Sequence, residues 1–123
     1  MTRHLASSAR LAAAVIGLAC ATAANADVNI GVIVSLTGPG ASLGIPADNT
    51  IKLWPSELGG QKINVITLND GTDTTTAAKN ATRLISEDKV DVIVGPSVTP
   101  TSLAVIDVAA RSGVPGAADR AAP

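Results

Sequence analysis

The chain has 123 residues, with nine basic and ten acidic side chains and a formal net charge of −1. This near balance offers no basic patch, so nucleic acid is not an expected partner. The length allows one small domain, whose core must consist of Val, Ile, Leu and Ala because the only aromatic residue is Trp54.

The first 26 residues have the segment order of a secretory signal peptide. The basic start MTRHLASSAR is followed by an apolar run over residues 11–20 and by small residues at 24–26, which signal peptidase recognises. The run is too short to cross a bilayer core about 30 Å thick. We expect cleavage before Asp27 and a periplasmic product. The alternative is a lipoprotein acylated at Cys20, since residues 17–20 loosely resemble a lipoprotein box.

The predicted mature part, residues 27–123, contains neither histidine nor cysteine, because His4 and Cys20 both precede the cleavage site. It keeps seven basic and ten acidic residues, a net charge of −3. A disulfide, a Cys/His zinc site and a histidine general base are therefore excluded from it. We expect a protein that is not an enzyme and that holds no metal or cofactor.

Three apolar runs rich in β-branched residues predict strands over residues 28–34, 63–68 and 90–94. None of them alternates between apolar and polar residues as a half-exposed strand does. The sequence therefore predicts strands that are buried on both faces.

Helical patterns fill the segments between and after these strands. The clearest covers residues 74–88, with Asp73 placed to cap its first turn. A weaker helix is predicted from Pro46 to the region of Leu53, and a third over residues 100–111. The predicted inward-facing residues are Ala77, Ala78, Ala81, Leu84 and Ile85 in the clearest helix, and Leu103, Ile106 and Ala110 in the third.

This order of strands and helices predicts an α/β fold with a parallel sheet and flanking helices. Such folds bind ligands beyond the carboxyl ends of their strands. The loops that follow the predicted strands, residues 35–45, 69–73 and 95–99, are therefore the candidate binding loops.

The glycine-rich first loop raises the alternative of a dinucleotide site. Gly38, Gly40 and Gly44 are one residue out of step with the G-x-G-x-x-G pattern, and Leu43 stands where its last glycine would pack helix against strand. Asp70, at the end of the second strand, would suit a ribose hydroxyl. We expect instead a long open loop that delays the helix, and we disfavour a nucleotide.

Asp70 and Asp73 could also form a catalytic carboxylate pair. The segment NDGTD is, however, typical of a turn followed by a capped helix, and nothing would desolvate the pair enough to separate the two pKa values. We interpret both residues as structural.

The third loop, VGPSVTPTS, suits a carboxylate. Gly95 permits a sharp turn, and Pro100 fits the first helical position, which makes Thr99 the predicted N-cap. The free N–H groups of the first turn, with the hydroxyls of Ser97 and Thr99, could hold an anion. Capping of the helix alone is the alternative, and the spacing does not separate the two.

Two long segments, IGVIVSLTGPGASLGIP and NDGTDTTTAAKNATRLISEDKVDVIVGPSVTPTSLAVIDVAA, resemble the N-terminal part of a periplasmic solute-binding protein. The family is the branched-chain amino-acid type, which feeds ABC transporters and has the type I periplasmic-binding fold. The predicted signal peptide agrees with it, and the resemblance covers about residues 28–110.

The resemblance implies that the first loop borders the solute, with Gly38 and Leu43 beside it. Leu43 falls where several relatives carry an aromatic residue that covers the ligand. Ser97 and Thr99 match the loop that holds the solute's carboxylate. The implied partners are a small-molecule solute, such as an amino acid, and the membrane permease of an ABC transporter. Residues 115–123 do not match the family pattern, and no role is transferred to them.

Relatives of this kind have two α/β lobes and are much longer. Residues 27–123 are therefore expected to form an incomplete N-terminal lobe, a partial three-layer parallel sheet with flanking helices. Alone, this chain should be partly folded, prone to associate and without measurable solute affinity. The expected function is solute binding for ABC uptake. A ligand-sensing domain of a receptor is the alternative, and a nucleotide-dependent enzyme comes third.

Overall fold

The structure is a computed structural model that describes residues 26–116. Its elements in chain order are β1 (Val28–Val34), α1 (Ala41–Ile51), β2 (Glu57–Leu58), β3 (Gln61–Asn69), α2 (Thr74–Ser86), β4 (Val92–Val94) and α3 (Thr99–Ser112). The predicted signal peptide, including Cys20 and excepting Ala26, lies outside the described residues.

The four strands form one sheet in the order β2-β3-β1-β4. β1 is central, and it pairs in parallel with β3 on one side and with β4 on the other. Each pair of parallel strands is separated in the chain by helix, as the predicted α/β fold requires. The predicted fold class is confirmed.

The predicted strands are present, with different ends in two cases. β1 has the predicted bounds, β3 starts two residues before Ile63, and β4 starts two residues after Val90. The short strand β2 was not predicted. It forms an antiparallel hairpin with the start of β3 through Gly59 and Gly60, whose φ angles of 60° and 80° suit a two-residue hairpin loop.

The larger hydrophobic cluster lies on one face of the sheet, beneath α2 and α3, and Val32 and Val34 of β1 are buried on the other face. Ile33 of β1, Ile93 of β4 and Leu84 of α2 are fully buried in the larger cluster. The inward face predicted for α2 is confirmed. Of its five predicted residues, Ala77, Ala81 and Leu84 are buried and Ala78 and Ile85 are half-buried.

The inward face predicted for α3 is wrong. Leu103 is 62% exposed, Ala110 is also exposed and Ile106 is only half-buried. The buried residues of α3 are Thr101, Val105 and Ala109. A threonine can occupy this face because its Oγ1 donates to the Val98 carbonyl at 2.8 Å, which satisfies the buried hydroxyl.

The start predicted for α1 is also wrong. The helix begins at Ala41 and contains Pro46 in its interior. Its N-cap, Gly40, makes no side-chain capping bond, so the usual sequence signal for a helix start is absent. α1 lies on the face of the sheet opposite α2. The residues at the end of α1 line a groove of about 270 Å³ together with Ile63 and Val65, which belong to that face of β3.

Candidate functional site

Three loops lie beyond the carboxyl ends of the parallel strands. The first edge loop, residues 35–40, follows β1; the second, residues 70–73, follows β3; the third, residues 95–98, follows β4. Because the strands are parallel, all three loops lie at one edge of the sheet. The predicted binding loops therefore meet at a single edge.

The first edge loop packs tightly against the second at Gly38. Gly38 has φ 79°, and a Cβ atom added to it would lie 2.5 Å from the carbonyl oxygen of Gly71. The need for glycine at this position is explained by the loop contact and by the left-handed backbone. A role of Gly38 beside a solute stays a prediction.

The long open loop predicted after β1 is wrong, because α1 begins directly after Gly40. Gly44, in the second turn of α1, packs on the backbone of Ser35, and an added Cβ would lie 2.1 Å from the Ser35 carbonyl oxygen. Gly44 thus provides the close contact between helix and strand, one residue after Leu43. Leu43 lies in the first turn of α1 and is 56% exposed.

The second edge loop contains both candidate carboxylates. Asp73 is the N-cap of α2, as predicted, and its Oδ1 accepts from the N–H and the hydroxyl of Thr76, each at 2.7 Å. Hydrogen bonding from Thr76, the hydroxyl first, lowers the pKa of Asp73 below its ordinary value. Asp70 is fully buried, and its Oδ1 accepts from the Ser35 hydroxyl at 2.7 Å. Both contacts are structural in kind, in line with the interpretation made from the sequence.

The third edge loop carries Ser97, which is half-buried, and leads into Thr99, which is exposed. The predicted N-cap is wrong by one residue. Val98 is the N-cap of α3, with extended φ and ψ of −123° and 138°, because its carbonyl accepts from the Ser102 N–H. Thr99 is therefore the first helical residue. Among the described residues, the hydroxyls of Ser97 and Thr99 take part in no hydrogen bond.

The predicted site residues fall into two groups at this edge. Gly38 and Leu43 belong to the first edge loop and the start of α1, and Ser97 and Thr99 to the third edge loop and the start of α3. Within the described range, no hydrogen bond joins the two groups. Sequence reasoning missed Thr72, which connects the first and second edge loops and adopts φ 63°.

The three helices differ at their N-termini. Asp73 caps α2, whereas the N-caps of α1 and α3 make no side-chain hydrogen bond and neither first turn contains an acidic residue. Open N-terminal N–H groups carry partial positive charge and attract anions. In α1, however, the N–H groups of Ala41 and Leu43 already donate to the carbonyls of Gly38 and Gly40, at 3.2 and 3.0 Å. Among the described helices, the start of α3 is therefore the one at this edge that most favours a negatively charged group.

Within residues 26–116, no cluster of three or more His, Cys, Asp or Glu side chains could hold a metal ion. No helix in this range is long and apolar enough to cross a membrane.

A parallel α/β sheet with its candidate site at the carboxyl edge defines a ligand-binding α/β domain. Sequence comparison specifies the class, since the family described as "Periplasmic binding protein" matches residues 27–117. The chain belongs to this family. The predicted resemblance to the branched-chain amino-acid type, with the type I periplasmic-binding fold, is confirmed.

One similar sequence is the Leu/Ile/Val-binding protein of Rhizobium johnstonii, which is 32% identical over 106 residues. That match covers 81% of this chain and 29% of the relative. The chain thus spans less than a third of the length of this relative.

Two solved structures from Rhodopseudomonas palustris are similar in fold and sequence. One is an extracellular ligand-binding receptor, with a TM-score of 0.72 and 45% identity, over 74% of this chain and 26% of that one. The other is a solute-binding protein of an ABC transporter in complex with 3,4-dihydroxybenzoic acid, with a TM-score of 0.69 and 37% identity, over 73% and 26% of the two chains. Each match covers about a quarter of the solved chain.

Proposed function

We propose that this chain provides one wall of the binding cleft of an extracytoplasmic solute-binding protein that serves an ABC uptake system. The solute in this proposal is a small molecule with a carboxylate, either a branched-chain amino acid or a related acid. Membership of the periplasmic binding protein family supports a role in binding rather than catalysis.

The observation that carries the proposal is the open start of α3 at the sheet edge. Its first turn can offer the N–H groups of Thr99 and Thr101, since Pro100 has none, and the hydroxyls of Ser97 and Thr99 have no partner among the described residues. A carboxylate placed there would accept hydrogen bonds from both hydroxyls and from the backbone. No acidic residue in the first turn competes with it.

The proposed solute class follows from what two relatives share. One is named for leucine, isoleucine and valine, and the other was solved with 3,4-dihydroxybenzoic acid. These ligands differ in every part except the carboxylate. We therefore assign the carboxylate to Ser97 and Thr99 and the variable part of the solute to the first edge loop.

Gly38 and Leu43 are proposed to border that variable part. Leu43 is an exposed apolar side chain in the first turn of α1, so a solute can reach it. Because Leu43 has no ring, it would contact an aliphatic or aromatic group by apolar burial alone, without stacking.

A chimera tests this proposal. Residues 27–116 would replace the equivalent segment of the full-length R. palustris receptor that is 45% identical. Calorimetry should then detect leucine, isoleucine, valine or 3,4-dihydroxybenzoate. Ser97→Ala or Thr99→Val should weaken binding by about 10- to 100-fold, as expected for the loss of a hydrogen bond to a charged group.

Thr74→Val is the matched control, because Thr74 is the first residue of α2 as Thr99 is of α3, but follows a capped N-terminus. It should leave affinity unchanged. The amide of each acid should bind much less tightly than the acid. Equal binding of acid and amide, or an unchanged affinity in both site variants, would contradict the carboxylate assignment.

The 123-residue chain alone is a separate case. One half of a cleft leaves the carboxylate in water, where charge-assisted hydrogen bonds lose most of their advantage over solvation. We predict no measurable affinity by calorimetry for the four acids. A dissociation constant below about 100 μM, or −5.5 kcal/mol, together with a cooperative melt, would show that these residues form a sufficient site.

The extracytoplasmic location in this proposal depends on export. N-terminal sequencing of the secreted product should begin Asp27-Val28-Asn29. A product that starts at an acylated Cys20 would show instead that the protein is a lipoprotein.

A further inference from the structure

The first and second edge loops are joined by side-chain hydrogen bonds at several points. The Asn69 carboxamide accepts from the Leu36 N–H at 2.9 Å and donates to the Thr37 hydroxyl at 3.0 Å. The Thr72 hydroxyl donates to the Thr37 carbonyl and accepts from the Gly40 N–H, both at 3.0 Å. These bonds span residues that are more than 30 positions apart in the chain, so they bind the two loops into one body.

Asp70 lies beneath this contact and is inaccessible to solvent. Its Oδ1 accepts from the Ser35 hydroxyl at 2.7 Å and from the Thr72 N–H at 2.8 Å. One carboxylate oxygen thus accepts a hydrogen bond from a residue of each loop. Its Oδ2 is buried and has no hydrogen-bond partner in the described part of the chain.

Asp70 accepts hydrogen bonds from the two residues that contact the start of α1. Ser35 is the residue against which Gly44 packs, and Thr72 is the acceptor for the Gly40 N–H. Thr72 has φ 63°, a backbone conformation that is unfavourable for a β-branched residue and needs support from its surroundings. Asp70 supplies that support through the Thr72 N–H.

The third edge loop has a different set of bonds. The Ser102 hydroxyl donates to the carbonyls of Pro96 and Val98, and the Thr101 hydroxyl donates to Val98. All of these partners belong to the third edge loop or to α3. Within residues 26–116, no side-chain hydrogen bond connects it to the other two loops.

We propose that Asp70 is a positioning residue for the solute site. It locks the first and second edge loops into a single unit, which fixes Gly38 and the start of α1 before a solute arrives. The third edge loop, with Ser97, is not part of that unit. Preorganisation of this kind lowers the cost of ordering the site on binding. The inference rests on the proposed function, because it needs the sheet edge to be the solute site.

The test is amide hydrogen exchange on the 123-residue chain and its variants. Asp70→Ala removes the shared acceptor, so exchange at the Thr72 and Gly40 amides should become roughly ten times faster or more. Amides in the middle of α2, such as that of Ala81, should change far less. Asp70→Asn keeps an oxygen in the Oδ1 position and should restore the slow exchange at both amides.

Asp107→Ala is the control, since Asp107 is an exposed carboxylate on α3 that pairs with Arg111. It should leave the edge loops unaffected. Equal acceleration at Ala81 and at the loop amides in Asp70→Ala would reduce Asp70 to a general stabiliser and overturn the proposal. So would an Asn variant as fast as the Ala variant, or a parent chain in which the Ala81 amide is protected but the Thr72 and Gly40 amides are not.

The outcome of the hydrogen exchange experiment does not depend on that of the chimera experiment. If the chimera binds no carboxylate but the exchange pattern is as expected, the proposed function fails while the loop unit remains. If the chimera binds and the loop amides are unprotected, the proposed function remains and the positioning role of Asp70 fails.

Discussion

The two faces of the sheet are covered very unequally. The covered face, beneath α2 and α3, contains Ile33, Leu84 and Ile93, none of which is accessible to solvent. The open face lies beneath α1, of which only Gly44 and Asp48 are buried. On that side Val32 and Val34 of β1 are buried, but the β3 residues Ile63, Val65 and Thr67 are only half-buried.

This difference shows where the stability of residues 26–116 comes from. Burial of apolar area supplies about 25 cal/mol per Å², so the covered face provides most of the gain. The open face keeps apolar surface in water, including Leu53, which is 83% exposed, and Trp54, which is 37% exposed. A second layer of protein on the open face would bury this surface. The chain as given is therefore expected to be weakly stable and prone to associate.

The largest effect is expected from truncation on the covered face. Leu84→Ala removes a fully buried side chain from the centre of the core and should cost about 2–5 kcal/mol. That is a large part of the 5–15 kcal/mol typical of complete domains, so the variant should lose protection from hydrogen exchange throughout the sheet. Amide exchange of the parent and the variant under the same conditions measures this.

Leu53→Ala is the matched control, because the same side chain is removed from an exposed position beside the open face. It should change protection little. If both variants lose protection to the same extent, the covered face does not supply most of the stability, and the comparison between the two faces fails.

A smaller effect is expected from Gly44→Ala, which tests how α1 is held. Glycine in a helix interior is about 1 kcal/mol less favourable than alanine, so propensity alone predicts stabilisation. An added Cβ would, however, lie 2.1 Å from the Ser35 carbonyl oxygen, and helix and strand must separate. We expect a net destabilisation of roughly 1–3 kcal/mol, as in overpacked cores.

Fluorescence of Trp54, close to the end of α1, reports the unfolding midpoint and any displacement of the helix in the Gly44 variant. Gly116→Ala is the control, because no neighbouring atom among residues 26–116 lies within 4 Å of the added Cβ. A Gly44→Ala chain that is more stable than the parent would mean that α1 is not packed on Ser35.

Association of the chain gives a third, smaller contrast between the faces. Leu53→Ser removes an exposed apolar side chain beside the open face, whereas Leu103→Ser removes one that is 62% exposed on α3. Only the first should lower the weight-average mass measured by sedimentation at equal concentration, because contiguous apolar surface drives association. Equal effects from both variants would show that the surface responsible for association does not lie beside the open face.

α2 was largely predictable, whereas the start of α1 and the buried face of α3 were not. The pattern of α2, with small and aliphatic residues at helical spacing behind the Asp73 cap, agrees with the structure, although the helix ends at Ser86 and not at Asp88. In α1 the N-cap is a glycine without a side-chain bond, and Pro46 inside the helix suggested a boundary that does not exist. Such a helix forms through contact with the sheet, and local propensity cannot show that contact.

The position of the candidate site was predictable, but its hydrogen bonds were not. Parallel strands place their following loops at one edge, so the predicted location of Ser97 and Leu43 required only strand order. The bonds between Asn69, Thr72 and Thr37 depend on backbone geometry, including the positive φ of Thr72, and no local pattern indicates them. The N-cap of α3 was off by one residue because Pro100 is acceptable at either of the first two helical positions.

The smallest effect concerns the cap of α2, which secures the covered face at its loop end. Hydrogen bonds from Thr76 lower the pKa of Asp73 below its ordinary value of 3.8. A carboxyl group with a lowered pKa in the folded state contributes stability above its unfolded pKa, and that contribution disappears as pH falls through the folded pKa. Asp73→Ala should therefore lower the unfolding midpoint at pH 7, and the difference from the parent should shrink below pH 3.8.

Asp73→Asn, which keeps a capping oxygen, should have a smaller effect that does not vary over the same pH range. Urea unfolding followed by Trp54 fluorescence between pH 3 and pH 7 measures both variants, with Asp107→Asn as the control for an exposed aspartate outside the cap. A deficit of Asp73→Ala that stays constant down to pH 3 would show that the charge of Asp73 does not contribute to the cap.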